Sequence, residues 1–253
     1  MMWLVALILI GARLTSAAGA AEEPSVWTAE SGSDEVALLE LYTSEGCSSC
    51  PPAETWLGAR REDPGLWRAF VPVAWHVTYW DRLGWTDRWA DRAHTARQEA
   101  YASAWEARSI YTPAFVRAGE EWRIRDGVTK GRRVASPGRL RAVLEAGGRL
   151  RVTFEPTTTA RAWTAHVALL GGGIVSDVRA GENRGRELRH EFVALETAMV
   201  ELKPSEADRW SGTVELPAWP KEKLARRALA VWVSRAGEVA PVQAAGGWFD
   251  VSR

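Results

Sequence analysis

Cys47 and Cys50 are the two cysteines of the 253-residue chain, and they stand two residues apart in Thr43-Ser44-Glu45-Gly46-Cys47-Ser48-Ser49-Cys50-Pro51-Pro52. A thiolate attacks disulfides and binds soft metal ions, and its thiol does neither well. A C-x-x-C pair can close into a small disulfide ring, or it can act in sequence, with Cys47 attacking a partner disulfide and Cys50 resolving the mixed disulfide. Closing so short a loop contributes less chain entropy than closing a long one, so stability alone is a weak reason for the spacing. Three kinds of chemistry stay open at this point: thiol–disulfide exchange with protein thiols or disulfides, capture of Cu(I) by two soft thiolates with a histidine, and a permanent structural disulfide in an interaction module. Two cysteines argue against a closed four-ligand zinc site.

The elements around the pair set its reactivity. Val36 to Tyr42 is a short apolar run that reads as a buried strand. Pro51 to Arg60 reads as a helix, with prolines in the first turn where N–H groups have no internal partner. A cysteine at that junction meets the positive end of the helix dipole, which favours the thiolate. Phe70 to Val77 predicts a second strand, and strand-helix-strand implies parallel pairing. An aromatic loop follows (Tyr79, Trp80, Trp85), then a helix from an Asp87 cap to about Ala107, a hairpin over residues 114–124, and a closing helix over Pro137 to Ala146, capped by Ser136 and stopped by Gly147-Gly148. That order predicts a thioredoxin-like α/β domain over residues 35–147. Pro113, after Thr112, falls where that fold places a cis-proline facing the cysteines. Glu40 either falls where that fold keeps a buried carboxylate that takes the proton of the resolving thiol, with a pKa raised by burial, or is an edge-facing, solvated carboxylate.

From residue 148 the texture changes to short alternating or β-branched runs separated by Gly and Pro. This predicts an antiparallel β-sandwich domain over residues 148–253. The sequence-based fold class is therefore an α/β thioredoxin-like domain followed by an antiparallel β-sandwich domain.

The bulk numbers exclude some partners. Lys+Arg and Asp+Glu both total 32, so no net charge points to a nucleic-acid partner. Trp3 to Ile10 is an apolar core too short for a span of roughly 20 residues, and Ala18-Gly19-Ala20 fits a cleavage site. Residues 1–20 read as a signal peptide and 21–34 as a flexible linker, which predicts a periplasmic or secreted protein with no membrane span after cleavage. No cofactor is expected.

Other residues carry weaker signals. His76 ends the second strand among Trp75, Tyr79 and Trp80, as a metal ligand, a proton shuttle or a satisfied core residue. Trp80, Trp85 and Trp89 either line a groove over the cysteines or pack the loop on the sheet. Glu45 is expected in a loop, where its charge opposes thiolate formation. Glu182 to Arg186 reads as a hairpin turn whose charges tie the two domains together, or whose arginines hold an anionic partner. His94, His166 and His190 have no supporting neighbours in sequence.

The segment Glu40 to Ala53 closely resembles the opening motif of a bacterial family called domain of unknown function 1223. The resemblance continues through His76 to Trp85, Arg97-Gln98, Tyr101, Tyr111-Thr112-Pro113, Gly181 to Arg186 and Gln243 to Trp248. It implies a secreted thioredoxin-fold protein with a β-rich extension and has no settled activity attached. One departure stands out: family members usually carry Asp two residues after the histidine, where this chain has Thr78. Taken together, the residues predict an exported thiol–disulfide oxidoreductase in which Cys47 attacks, Cys50 resolves, Pro113 shapes the substrate surface and Glu40 moves the proton.

Overall fold

The computed structural model describes residues 25–124, 136–160, 162–206, 208–222 and 224–249. The expected signal peptide lies outside the described residues. The elements in chain order are β1 (Ser25–Glu30), β2 (Ala37–Thr43), α1 (Pro51–Ala59), β3 (Phe70–His76), α2 (Arg92–Ala104), β4 (Ala114–Arg117), β5 (Glu120–Trp122), β6 (Gly138–Glu145) and β7 (Arg149–Pro156). They continue with β8 (Trp163–Gly172), β9 (Ile174–Asp177), β10 (Glu187–His190), β11 (Val193–Pro204), β12 (Trp210–Glu215), β13 (Arg226–Arg235) and β14 (Pro241–Trp248).

The expected α/β thioredoxin-like domain followed by a β-sandwich is corrected by the strand pairing. Twelve strands form one mixed sheet, with the path β1-β6-β7-β12-β11-β3-β2-β4-β5 and with β8, β13 and β14 branching from β11. Strand β11 is the junction. Its first residue, Val193, pairs parallel with Ala74 of β3, and its last residues, Lys203 and Pro204, pair with β12. The N-terminal and C-terminal strands thus share one hydrogen-bonded system.

Periodicity explains how the layers stack. Successive strand residues point to opposite faces. In β13, Ala228, Ala230 and Trp232 join the core that holds β2, β3 and α1. Leu229, Val231 and Val233 join the core that holds β1, β6 and β7. A strand apolar on both faces must be covered on both, so β13 lies between two buried layers.

Several local expectations hold. β2 and β3 pair in parallel across α1, from Ala37↔Phe70 to Thr43↔His76. β4 and β5 form the expected hairpin, and the Thr112–Pro113 peptide is cis, immediately before β4. Others fail. Within residues 137–146, expected as a helix, Gly138–Glu145 form β6: Leu140, Ala142 and Leu144 are buried while Arg139 and Arg141 are exposed, a period of two that the Ser-Pro start and Gly-Gly stop signals masked. Gly138 has φ 122°, and a Cβ there would lie 2.2 Å from the Glu155 carbonyl oxygen. Residues 25–30, read as part of a flexible lead, form β1 against β6. The second helix starts at Arg92, capped by Asp91 through a 2.6 Å bond from the Ala93 N–H, so Asp87 is free for another task.

A cavity of about 620 Å³ opens where α2 faces β8 and β13, lined by Arg97, His166 and Trp232 among others. His166 stacks on Trp232 at 5.2 Å, with Nε2 3.0 Å from Ser234 Oγ. Burial, and then the Arg97 charge, push its pKa down to about 3. An imidazole in the unfolded chain titrates near 6.5, so the unfolded state takes up this proton first as pH falls. The stabilisation from neutral His166 is complete above that value and declines below it, by about 1–2 kcal/mol between pH 7 and pH 5. Urea midpoints at the two pH values for wild type and His166→Gln check this: the variant is expected to lose less on acidification.

Candidate functional site

β2 ends at Thr43, and the chain turns through residues 44–49 into α1. Cys50 is the N-cap residue of that helix, and Pro51 and Pro52 occupy its first turn. The Cys47 N–H donates to the Ser44 carbonyl at 3.1 Å, and the Cys50 N–H to the Cys47 carbonyl at 3.2 Å. Cys47 and Cys50 are joined as a disulfide, with Cα atoms 5.4 Å apart. The two cysteines sit at the strand-to-helix junction the sequence predicted. They are not open to solvent: both residues are 0% exposed, while Ser48 and Ser49 between them are exposed.

A second part of the chain closes over the loop. β9 and β10 pair only with each other, as a hairpin apart from the large sheet. The connection between them carries Glu182 and Asn183. The Asn183 side-chain N–H group donates to the carbonyls of Glu45 and Cys47, both at 2.9 Å, and the Ser48 N–H donates to Glu182 Oε2 at 3.0 Å. Asn183 is fully buried, and its Oδ1 accepts from Arg186 at 2.7 Å. The charged turn read from sequence does tie distant segments together, at the cysteine loop itself.

The same hairpin delivers His190 to a buried cluster of three carboxylates and two imidazoles. Glu54 lies four residues after Cys50 on α1, a spacing that puts side chains on one helix face. Its carboxylate accepts from Thr43 Oγ1 at 2.6 Å and pairs closely with His190 Nδ1. His190 Nε2 lies 3.2 Å from Glu45 Oε1. Glu45 also accepts from the Trp85 indole N–H at 2.7 Å. His76 Nδ1 is 2.7 Å from Asp87 Oδ2, and Asp87 accepts from the Glu45 N–H at 2.8 Å. Glu45, Glu54, His76, Asp87 and His190 are all buried.

Proximity overrides burial in the titration of these groups. Burial pushes Glu54 and Glu45 up, but it is outweighed in Glu54 by His190 with help from His76 and Thr43, and in Glu45 by contacts with His190, Ser176 and Trp85 together, so both lie below the usual carboxylate range. Burial pushes Asp87 up, and His76 outweighs it. Burial opposes protonation of His76 and His190, yet Asp87 raises the first, and Glu54 with Glu45 raises the second to about 10.

The remaining expected site residues go elsewhere. Glu40 is fully buried but is neither solvated nor free. Its carboxylate accepts from Arg97 at 2.6 and 3.1 Å, Tyr101 at 2.5 Å, Trp75 Nε1 at 2.9 Å and Tyr42 at 3.3 Å. Thr43 stands three positions further along, an odd offset, so Glu40 points to the opposite face of β2 from the Thr43–Glu54 contact. The proton role expected of Glu40 thus has a better-placed claimant in Glu54. Cis-Pro113 follows Thr112, whose hydroxyl accepts from the Trp80 indole at 2.7 Å, and the Trp80 side chain packs beside Gly46. Trp89 is buried against Ile174 and Val193. The tryptophans therefore pack and hydrogen-bond the loop. Thr78, where the family resemblance implies Asp, pairs with Thr95 Oγ1 at 3.1 Å, and the carboxylate on His76 comes from Asp87.

Fold and site define a β-rich protein with a C-x-x-C disulfide at a strand-to-helix junction, sealed by a hairpin and backed by buried acids and imidazoles. Residues 38–234 match the family described as "Protein of unknown function (DUF1223)", and the chain belongs to that family. No curated protein matches it. Two solved structures are similar over 87% of this chain. One is a structural-genomics protein from Agrobacterium tumefaciens, 21% identical with a TM-score of 0.60, covered over 97% of its length. The other is HBP35 of Porphyromonas gingivalis, 12% identical with a TM-score of 0.59, covered over 77%. At these identities the likeness concerns the fold alone.

Proposed function

We propose that the protein exchanges thiols and disulfides with protein partners through Cys47 and Cys50. The observation that carries this reading is the disulfide at the N-terminus of α1 with a titratable Glu54–His190 pair one turn away. A purely structural disulfide needs no buried proton store beside it. Export to an oxidising compartment fits the same reading, since a disulfide persists there.

The electron and proton balance is simple. A partner thiolate attacks the Cys47 sulfur, the Cys47–Cys50 bond breaks, and the Cys50 sulfur leaves as a thiolate. A second partner thiolate displaces Cys47, so the partner is oxidised by two electrons and the pair is reduced by two. The Cys50 thiolate then takes up a proton, which in this reading comes from the Glu54–His190 pair one helical turn away. The helix N-terminus stabilises whichever thiolate stays ionised. Because both sulfurs are enclosed, the hydrogen bonds that Asn183 donates and the one that Glu182 accepts must release before a partner can reach them.

A redox titration in glutathione buffers, read by mass spectrometry, tests the reading. We expect a potential in the range of known oxidoreductases, about −120 to −270 mV. We also expect Cys50→Ser to accumulate a mixed disulfide at Cys47. A potential below about −300 mV, the range of structural disulfides, with no trapped partner, would make this disulfide a structural staple.

A further inference from the structure

We propose that Glu54, His76 and His190 form a binding site for a divalent transition-metal ion, with zinc(II) best suited to the donor set. One ligand atom from each of the three lies within 4.8 Å of the other two, and all three residues are buried. Two imidazoles and one carboxylate make a donor set that zinc uses in sites that keep a fourth position open. Zinc ligand distances of about 2.0–2.2 Å put neighbouring ligand atoms roughly 3.4 Å apart, so the three side chains need draw in by only about 1 Å.

The orphaned atom is the telling feature. His76 Nε2 is fully buried and has no hydrogen-bond partner. Leaving such a group unpaired costs about 1–3 kcal/mol. Its other ring nitrogen faces Asp87, so the Nδ1–H is committed outward and the Nε2 lone pair is aimed into the cluster. That is the arrangement in which a carboxylate fixes the tautomer of a metal-binding histidine. His190 repeats it in mirror fashion: Nδ1 faces Glu54, while Nε2 lies 3.2 Å from the otherwise unpaired Glu45 Oε1. Glu54 completes the set, with one oxygen on Thr43 Oγ1 and the other turned to His190. Each ligand therefore has its own outer partner: Asp87 for His76, Glu45 for His190 and Thr43 for Glu54. Three carboxylates facing two imidazoles also leave an anionic surplus, even with both rings charged, which a cation offsets.

The topology gives this site a consequence. Glu54 and His76 belong to the β2–α1–β3 unit, and His190 ends the β9–β10 hairpin that seals the cysteine loop. An ion held by all three pins the hairpin down. The site uses no sulfur and is distinct from Cu(I) capture by the cysteines.

The test uses the full chain, stripped with EDTA and titrated with zinc(II) by calorimetry, with cobalt(II) as the spectroscopic probe. We expect one ion per chain, a rise in melting temperature, and cobalt(II) visible bands of a low-coordinate site. His76→Ala is expected to weaken binding at least 100-fold, and Asp87→Asn, a positioning change, 10–100-fold. The Cys47→Ser/Cys50→Ser double variant should bind within a few-fold of wild type, which separates this site from the exchange reading. Circular dichroism confirms that each variant is folded, and if His76→Ala is not, Asp87→Asn decides. The proposal is overturned if the stripped wild type takes up no stoichiometric ion, if the folded His76 or Asp87 variants bind as well as wild type, or if removing the cysteines abolishes binding.

Discussion

Glu40→Ala is expected to lower the unfolding free energy by about 3–5 kcal/mol, the range for removing one partner of a buried ion pair. The carboxylate is fully buried and accepts from four side chains, Arg97, Tyr101, Trp75 and Tyr42. Its loss leaves the Arg97 guanidinium, only 13% exposed, without its counter-charge, and takes a shared acceptor from two phenols and an indole. The Tyr101 and Tyr42 hydroxyls already titrate well above their usual range, through burial first and then the Glu40 charge beside them. Glu40→Gln restores an acceptor but not the charge, so its loss should be smaller than that of the alanine variant. Urea unfolding of both variants checks this. A loss under about 1 kcal/mol for Glu40→Ala would refute the network as a stabilising unit. The pair of variants also addresses Glu40 as a proton carrier, since that role predicts exchange failing in Glu40→Gln with stability intact.

The sequence made the cysteine junction legible because its signals are local. The apolar run before it, the prolines after it and the two-residue spacing all act within one turn of chain, and the strand, disulfide position and helix appear where they point. The β4–β5 hairpin was legible for the same reason, whereas the cis peptide before Pro113 was expected from its place in the order of elements and not from its neighbours. The fold class was not, because it is decided by pairings between distant strands. Nothing within residues 70–77 says that β3 will meet Val193, and that single parallel contact draws the N-terminal strands into the sheet with the rest. Residues 137–146 show a second kind of failure, where end signals for a helix outvoted an alternation that burial obeys. The site divides along the same line. Glu54, one turn past Cys50, is within reach of the helical spacing, although the sequence reading favours Glu40. His190 has no meaning until the chain brings it to Glu54, 136 residues away in sequence. Asp87 was assigned to a helix cap that Asp91 supplies.

That long-range dependence concentrates in Asn183, and the largest kinetic effect is expected there. Asn183→Ala should speed reduction of the Cys47–Cys50 disulfide by dithiothreitol about 30-fold. Asn183 holds two carbonyls in buried residues: that of Cys47 keeps the Cys50 N–H at 3.2 Å when Asn183 is removed, while that of Glu45 loses its side-chain donor. Unsatisfied buried groups cost about 1–3 kcal/mol each way they are left, and taking about 2 kcal/mol off the closed state raises the open population about 30-fold. Reduction proceeds from the open state, since both sulfurs are sealed when closed, so its rate rises in proportion while opening stays fast against attack. Glu182→Ala removes one bond at an exposed edge and should speed reduction only a few-fold. Global stability read by urea should fall by about 1–3 kcal/mol in Asn183→Ala, and an unfolding-limited route would make the reduction rate follow that loss in every variant, Glu40→Gln included. The discriminating result is a rate that jumps in Asn183→Ala and stays near wild type in Glu40→Gln. Equal rates in wild type and Asn183→Ala would mean that the hairpin does not guard the disulfide, and that a partner reaches it from the Ser48–Ser49 side without moving Asn183.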